Sequence, residues 1–121
     1  YNANPAAVKA GIDVLATCAG RRRLVLGSML ELGADSDALH REVGLAAREA
    51  GIEELWAVGE RAAQAVIAFG LGGRVFESVA TLCDAEPECD GADTVLVKAS
   101  RGAALDVLVS HWTAEEEQAA C

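Results

Sequence analysis

The sequence has few basic residues, few aromatic residues and no long apolar stretch. Ten Lys and Arg stand against nineteen Asp and Glu, which gives a formal net charge of −9. Binding to nucleic acid or to an anionic membrane needs clustered cations, so we expect neither as a partner. No apolar run approaches the roughly 20 residues that span a bilayer. No signal-peptide pattern opens the chain, and we therefore expect a cytoplasmic protein.

Motifs for metal binding and redox chemistry are also missing. Neither His40 nor His111 has partners at a spacing typical of a metal or catalytic site, so we expect no metal ligands. The cysteine spacing fits neither a zinc pattern nor a CxxC pair. We expect reduced, mostly packed thiols, with a Cys83–Cys89 disulfide as the less favoured alternative. The four cysteines are Cys18, Cys83, Cys89 and Cys121.

Nothing in the sequence is typical of a site that binds a triphosphate. There is no GxxxxGK[ST] phosphate loop and no GxGxxG after a strand. The glycine-rich stretch at 70–73 is too short and precedes a predicted strand instead of a helix. A nucleophile elbow is missing as well. We therefore expect no catalytic residue within this chain, which would be inactive alone.

What is present is a regular alternation of helical and strand patterns in a chain of 121 residues, of which 52% are hydrophobic. Asn4-Pro5 predicts a helix start, and Gly20 predicts its end. Ser36 is expected to cap a second helix, and Pro87 to stop a short fourth one. The third helix is expected to turn Ile67 inward. Strands are predicted at 24–26, 55–58, 74–76 and 94–97, and helices at 5–19, 36–50, 61–69, 78–84 and 105–112.

The predicted strands are apolar throughout, which indicates that both faces of the sheet are buried. Helices between strands favour crossover connections and a mostly parallel sheet. We therefore predict a three-layer α/β/α, Rossmann-like fold with a doubly wound sheet. One domain is expected over 1–113, followed by a polar tail over 114–121. Because the chain starts at Tyr1 and not at Met, we expect it to be part of a longer protein.

In such sheets, ligands bind outside the carboxyl ends of the strands. Three segments follow predicted strands there: 27–33, 59–61 and 98–102. By contrast, the basic triplet at 21–23 is expected to complement the carboxyl end of a helix dipole on a solvated surface.

Within these segments, Lys98 and Arg101 are the best candidates for binding an anion. Arginine holds a carboxylate with two parallel hydrogen bonds, whereas lysine acts as a point charge. Ser100 could donate to the same anion, and Glu31 could hold an ammonium group or cap a helix. The alternative is a solvated turn whose charges point outward.

Three motifs resemble, in order, those of the Mur ligase family. They are YNANP at 1–5, LGSMLELG at 26–33 followed by Ser36 and His40, and VLVKASR at 95–101. Val58-Gly59 is similar to the strand-then-glycine signature between them. The first motif resembles the branch of the family that adds D-Ala-D-Ala.

The resemblance implies the carboxy-terminal domain of an ATP-dependent ligase of peptidoglycan synthesis. In that branch, the acceptor carboxylate of a UDP-N-acetylmuramoyl tripeptide is activated as an acyl phosphate, and the amine of D-Ala-D-Ala attacks it. ATP and Mg²⁺ are held mainly by a central domain, so the expected partners are these two substrates and the N-terminal and central domains of the same chain. None of these cofactors is expected on this chain alone.

The resemblance also implies roles for individual residues. Tyr1 and Asn2 would lie near the nucleotide, and Asn4 and Pro5 would start the helix. Two positions depart from the family pattern, since Ser28 replaces the usual Asp and Ala99 the usual Gly. Residues implied to bind the dipeptide are Ser28, Met29, Glu31, Lys98, Ser100 and Arg101.

Two alternatives stay open at this point. One is the corresponding domain of a folylpolyglutamate synthase-type ligase, against which the YNANP and ELG motifs speak. The other is a stand-alone α/β binding module without catalysis. A phosphate loop upstream in the gene would favour a ligase, and a start codon directly before Tyr1 would favour the module.

Overall fold

The computed structural model describes residues 4–29, 32–89 and 94–98. The elements are α1 (Pro5–Ala16), β1 (Arg22–Gly27), α2 (Ser36–Glu49), β2 (Glu54–Val58), α3 (Ala63–Phe69), β3 (Gly73–Phe76), α4 (Val79–Cys89) and β4 (Thr94–Lys98). The described strands all pair in parallel, in the order β3-β2-β1-β4. The chain therefore moves outward from β1 to β3 and then returns to the other side of β1, which confirms the predicted doubly wound sheet.

Helices cover both faces of the sheet. Leu24 and Leu26 of β1 pack with the apolar residues of α1, α2 and α3. Val25, between them, points to the opposite face, where Trp56 and Leu82 of α4 pack. This alternation buries the strands on both sides and explains why they are apolar throughout. The three-layer α/β/α fold predicted from the sequence is confirmed.

The first helix begins as predicted and ends early. The Oδ1 atom of Asn4 accepts a hydrogen bond from the backbone N–H of Ala7 at 2.8 Å. The helix ends at Ala16, three residues before its predicted end at Ala19, which is exposed. The N–H groups of Thr17 and Cys18 bond to carbonyls three residues back, which tightens and closes the last turn.

Three other local predictions were wrong. Ser36 is the first residue of α2 and has helical backbone angles, because a short 3₁₀ helix over Gly33–Asp35 leads directly into it. Helix α4 continues past Pro87 to Cys89, so the proline does not end it. Ile67 is 67% exposed, since the buried stripe of α3 follows Ala65 and Phe69.

The basic triplet lies at the amino edge of the sheet. Arg22 donates to the carbonyl of Ala16 at 2.8 Å, which confirms that it complements the end of α1. Arg22 also binds both carboxylate oxygens of Glu53, at 3.0 Å each. These hydrogen bonds from Arg22 lower the pKa of Glu53 to about 2.

The burial of Arg23 contradicts the prediction that the basic triplet lies on a solvated surface. Its side chain is 1% exposed, its guanidinium lies 3.7 Å from the ring centroid of Trp56, and its Nε donates to Glu54 at 3.1 Å. A buried cation persists when it is paired in this way. Glu54 also forms an ion pair with Arg21 at 3.2 Å. The contacts of the three arginines at the amino edge therefore stabilise the fold.

Cys18 is disulfide-bonded, so the expectation of reduced thiols is wrong for this residue. Spacing along the chain gave no sign of the bond, because disulfide pairing depends on distances that only the fold sets. The predicted helix at 105–112 and the predicted tail at 114–121 lie outside the described residues. Among the helices described, the longest has 14 residues, and none has the length and apolar character of a bilayer span.

Candidate functional site

The candidate site lies at the carboxyl edge of the sheet, opposite the arginine-rich edge. Gly27 at the end of β1 is in register with Val58 at the end of β2, and Leu26 is in register with Lys98 of β4. Ser28, Gly59 and Lys98 therefore lie at the ends of three neighbouring strands. The first residues of the three predicted segments, Gly27, Gly59 and Lys98, therefore lie at one edge of the sheet, where ligands bind in open α/β sheets.

Lys98 points to the face of the sheet that α1 covers. An added Cβ on Gly11 of α1 would lie 3.2 Å from Cε of Lys98 and 2.9 Å from Cδ2 of Leu96. The missing side chain of Gly11 thus leaves room for the lysine stem to run along the helix.

The charge of Lys98 is not neutralised by a neighbour in the part of the chain that the structure describes. The ion pairs found within residues 4–29, 32–89 and 94–98 join other side chains, such as Lys9 with Glu42 at 2.6 Å. A half-buried lysine at the end of a parallel strand suits an anionic ligand.

Gly59 brings the end of β2 close to the segment that follows β1. Its φ of 96° belongs to the left-handed region, which glycine adopts without strain. An added Cβ there would lie 3.0 Å from Oγ of Ser28. Its N–H donates to the carbonyl of Phe76 at 2.9 Å, which fixes it between β2 and β3.

His40, in α2, forms a hydrogen bond to the segment that follows β1. Its Nε2 accepts a hydrogen bond from the backbone N–H of Met29 at 2.9 Å. Its Nδ1 lies 2.7 Å from the carbonyl oxygen of Ser36. A backbone amide can only donate and a carbonyl can only accept, so the ring is neutral and carries its hydrogen on Nδ1. Both His40 and Met29 are fully buried.

The structure thus brings three of the predicted site residues to one edge: Ser28 and Met29 after β1, and Lys98 in β4. Asn4 caps α1 and Pro5 occupies its first turn, as predicted. The other candidates lie outside the described residues: Tyr1, Asn2, Glu31, Ser100 and Arg101.

Two supporting residues were missed from sequence. Gly11 is a glycine inside an amphipathic helix, where it costs about 1 kcal/mol relative to alanine, so a signal was present. His40 was expected to have no metal-binding or catalytic role, and no positioning role was predicted for it. Its bond to Met29 spans eleven residues and leaves no local pattern.

The described residues do not fit a metal ion. Across 4–29, 32–89 and 94–98, no three His, Cys, Asp or Glu side chains are grouped closely enough to hold one. The arrangement suits binding and orienting an anionic ligand.

Comparison with protein families and curated proteins gives consistent matches. The family described as "Mur ligase, glutamate ligase domain" matches residues 1–101. The UDP-N-acetylmuramoyl-tripeptide–D-alanyl-D-alanine ligase of Escherichia coli K12 is 40% identical over 114 residues, covering 90% of this chain and 25% of that protein. The ligase of the same name from Mycobacterium leprae is 35% identical over 136 residues, covering 90% and 26%. The chain therefore spans about a quarter of the length of these relatives.

Solved structures agree on the fold. A crystal structure of MurF from Acinetobacter baumannii matches with a TM-score of 0.80 and 27% identity, over 92% of this chain and 26% of that one. A MurF ligase from Thermotoga maritima, solved in complex with ADP, matches with a TM-score of 0.77 and 24% identity, over 99% and 28%.

Proposed function

The chain belongs to the Mur ligase family, and from that premise we propose that it is the carboxy-terminal domain of the ligase that joins D-Ala-D-Ala to the UDP-N-acetylmuramoyl tripeptide in peptidoglycan synthesis. Curated relatives from several bacteria carry this one name, and each is covered over about a quarter of its length. We assign residues 1–113 to the domain and 114–121 to a polar tail. The N-terminal and central domains of the complete ligase would be its partners, in the cytoplasm.

The observation that carries the proposal is the convergence of Ser28, Gly59 and Lys98 at the carboxyl edge of the sheet. D-Ala-D-Ala has a carboxylate at one end and a nucleophilic amine at the other. A cation at this edge would hold the carboxylate, and the amine would then be directed out of the domain towards the activated tripeptide.

The chemistry assigned to this domain is positioning. The ammonium group first loses a proton, and the free amine then forms the new C–N bond at the acyl carbon of the activated tripeptide. The C–O bond to phosphate breaks, inorganic phosphate leaves, and the nitrogen loses a second proton as the amide forms. Closure of the domain over the other two would orient the amine and keep water away from the reactive acyl phosphate.

The proposed dipeptide site extends beyond the described residues. There we assign the strongest contribution to Arg101, because a guanidinium binds a carboxylate with two hydrogen bonds. Ser100 would donate to the same carboxylate, and Glu31 would face the ammonium end. Tyr1 and Asn2 are assigned to the neighbourhood of the nucleotide.

ATP and Mg²⁺ belong elsewhere in the complete ligase under this proposal. The sequence offers no phosphate loop. The described residues offer no group of three metal-ligating side chains either. No catalytic step is assigned to residues of this chain for that reason.

Substrate-dependent phosphate release by the complete ligase tests the proposal. With ATP and the UDP-tripeptide present, we expect release only when D-Ala-D-Ala is added, and none from the 121-residue chain alone. Release that requires a folate and glutamate instead would establish the folylpolyglutamate synthase-type alternative. Release by the chain alone would contradict the assignment of the chemistry to other domains.

The assignment of Arg101 has its own test in the same assay. Arg101→Ala should raise the KM for D-Ala-D-Ala or lower kcat, by about tenfold to a hundredfold in kcat/KM. Arg48→Ala, on the exposed last turn of α2, is the matched control. If Arg101→Ala leaves both constants intact, Arg101 does not bind the dipeptide.

A further inference from the structure

We propose that His40 is a positioning residue for the dipeptide site: it holds the segment that follows β1 through the backbone of Met29. The inference rests on the proposed function, in which that segment faces D-Ala-D-Ala. His40 does not touch the substrate in this account. It acts through the loop.

Met29 lies beyond the hydrogen-bonded part of the sheet. The register between β1 and β2 ends at Gly27, so Met29 is beyond the last paired residue. Its side chain is fully buried in the core beneath α1, α2 and α3. A buried N–H that lacks a strand partner needs another acceptor, because an unsatisfied one is costly.

His40 is that acceptor, and α2 holds it rigidly. Its Nε2 takes the hydrogen bond of Met29 at 2.9 Å. Its Nδ1 donates to the carbonyl of Ser36, one turn back in the same helix, at 2.7 Å. The second bond orients the ring so that the lone pair of Nε2 points at Met29. The position of the loop is thereby set by the position of α2.

Rigid placement of this backbone matters because Ser28 precedes Met29 directly. Oγ of Ser28 lies within 3.0 Å of the space that a Cβ on Gly59 would fill. The segment thus has little freedom on the β2 side and is held by His40 on the α2 side. A small shift in a positioning group costs a large factor in the efficiency of an oriented reaction.

Two substitutions test the two hydrogen bonds of His40 one at a time. His40→Asn places an amide near the position of Nδ1, so it can still donate to Ser36 but offers Met29 no acceptor. His40→Gln places its amide near the position of Nε2, so it can accept from Met29 but loses the bond to Ser36. Both remove the imidazole ring from the same buried site, and each is the matched control for the other.

The experiment uses the complete ligase that carries this domain. It measures kcat, the KM values for D-Ala-D-Ala and for ATP, the melting temperature, and hydrogen–deuterium exchange of the peptide containing Met29. For His40→Asn we expect the KM for D-Ala-D-Ala to rise about tenfold, with the KM for ATP within about twofold and faster exchange at Met29. For His40→Gln we expect a KM for D-Ala-D-Ala within about threefold of the unmodified enzyme, and slower exchange than in His40→Asn.

Equal constants and equal exchange in the two variants would overturn the proposal. So would a rise in both KM values that follows the fall in melting temperature, because a purely structural role predicts that result. If the unmodified ligase shows no dependence on D-Ala-D-Ala, the proposed function fails by itself. In that case the exchange comparison still decides whether His40 holds the loop.

Discussion

Replacing Gly44 by Ala would place a methyl group against the backbone of the neighbouring helix. Gly44 is buried in α2, where α2 meets α3. A Cβ at this position would lie 2.0 Å from the carbonyl oxygen of Ala65, 2.7 Å from its carbonyl carbon and 2.9 Å from its Cα. All three atoms belong to the backbone, so no side-chain rotation relieves the contact.

The expected change in the free energy of unfolding follows from two opposing effects. An ordinary contact needs about 3.5 Å, so the two helices would have to separate by roughly 1.5 Å. Overpacking of this kind costs up to about 3 kcal/mol, and alanine returns about 1 kcal/mol through its higher helix propensity. We therefore expect Gly44→Ala to lower the free energy of unfolding by about 2 kcal/mol.

Urea unfolding of the 121-residue chain, followed by circular dichroism, measures this loss. With a slope between about 1 and 3 kcal/mol per molar urea, the midpoint should fall by about 1 M. Gly11→Ala is the matched control, because it gains the same propensity but meets only the mobile ends of Leu96 and Lys98. Its free energy of unfolding should change by less than about 1 kcal/mol. Equal midpoints for the two variants would refute the steric reasoning.

Three further changes test other parts of the structure. Asn4→Ala should lower the free energy of unfolding by about 1 kcal/mol, because the N–H of Ala7 loses its acceptor, and Asn4→Asp should restore it. Glu53 has a pKa of about 2 in the folded chain against an ordinary 4.5, so its stabilisation is present above pH 4.5 and is lost as the pH falls from there towards 2. Because the side chain of Glu53 is 40% exposed, screening by solvent reduces that contribution to about 1 kcal/mol. In the Glu53→Gln chain the urea midpoint should therefore change less with pH over this range. Gly59→Ala should cost about 1–3 kcal/mol, and adding Ser28→Ala should recover only the steric part, because the strain of a φ of 96° stays.

Each of these changes has an outcome that would contradict it. An Asn4→Ala chain as stable as its Asp counterpart would mean that the cap contributes nothing. An unchanged pH profile for Glu53→Gln would assign the acid sensitivity to other groups. If Ser28→Ala recovers none of the loss in the Gly59→Ala chain, the two side chains do not compete for space.

The order of elements and the parallel sheet follow from short-range patterns. Strands such as 24–26 and 55–58 are apolar without alternation, and this requires a sheet that is covered on both faces. The helix start at Asn4-Pro5 was predictable because the cap and the proline act within one turn.

Boundaries that depend on neighbouring hydrogen bonds were not predictable in the same way. Ser36 looks like a cap, but the 3₁₀ turn before it already has helical geometry. Pro87 looks like a stop, but α4 extends two residues beyond it. Ile67 could not be placed because α3 has seven residues, too few to define an apolar face by periodicity.

The candidate site was predictable as an edge and not as a set of contacts. Lys98 and the segment 27–33 follow from the rule that ligands bind at the carboxyl ends of parallel strands, whereas the role of Ser28 within that segment came from the family resemblance. The passage of the Lys98 stem over Gly11 and the burial of Arg23 against Trp56 join elements that are distant in sequence. Such contacts can be predicted only when the order of the strands in the sheet is known.

The central claim is that the carboxyl edge of this domain binds the incoming dipeptide through a cation. Lys98→Met in the complete ligase tests it most directly, because methionine keeps the length of the stem beside α1 and removes the charge. Lys9→Met is the matched control, since Lys9 is paired with Glu42 on the surface. We predict that Lys98→Met raises the KM for D-Ala-D-Ala about tenfold and leaves the KM for ATP unchanged, whereas Lys9→Met changes neither. An unchanged KM for D-Ala-D-Ala in Lys98→Met would contradict the account.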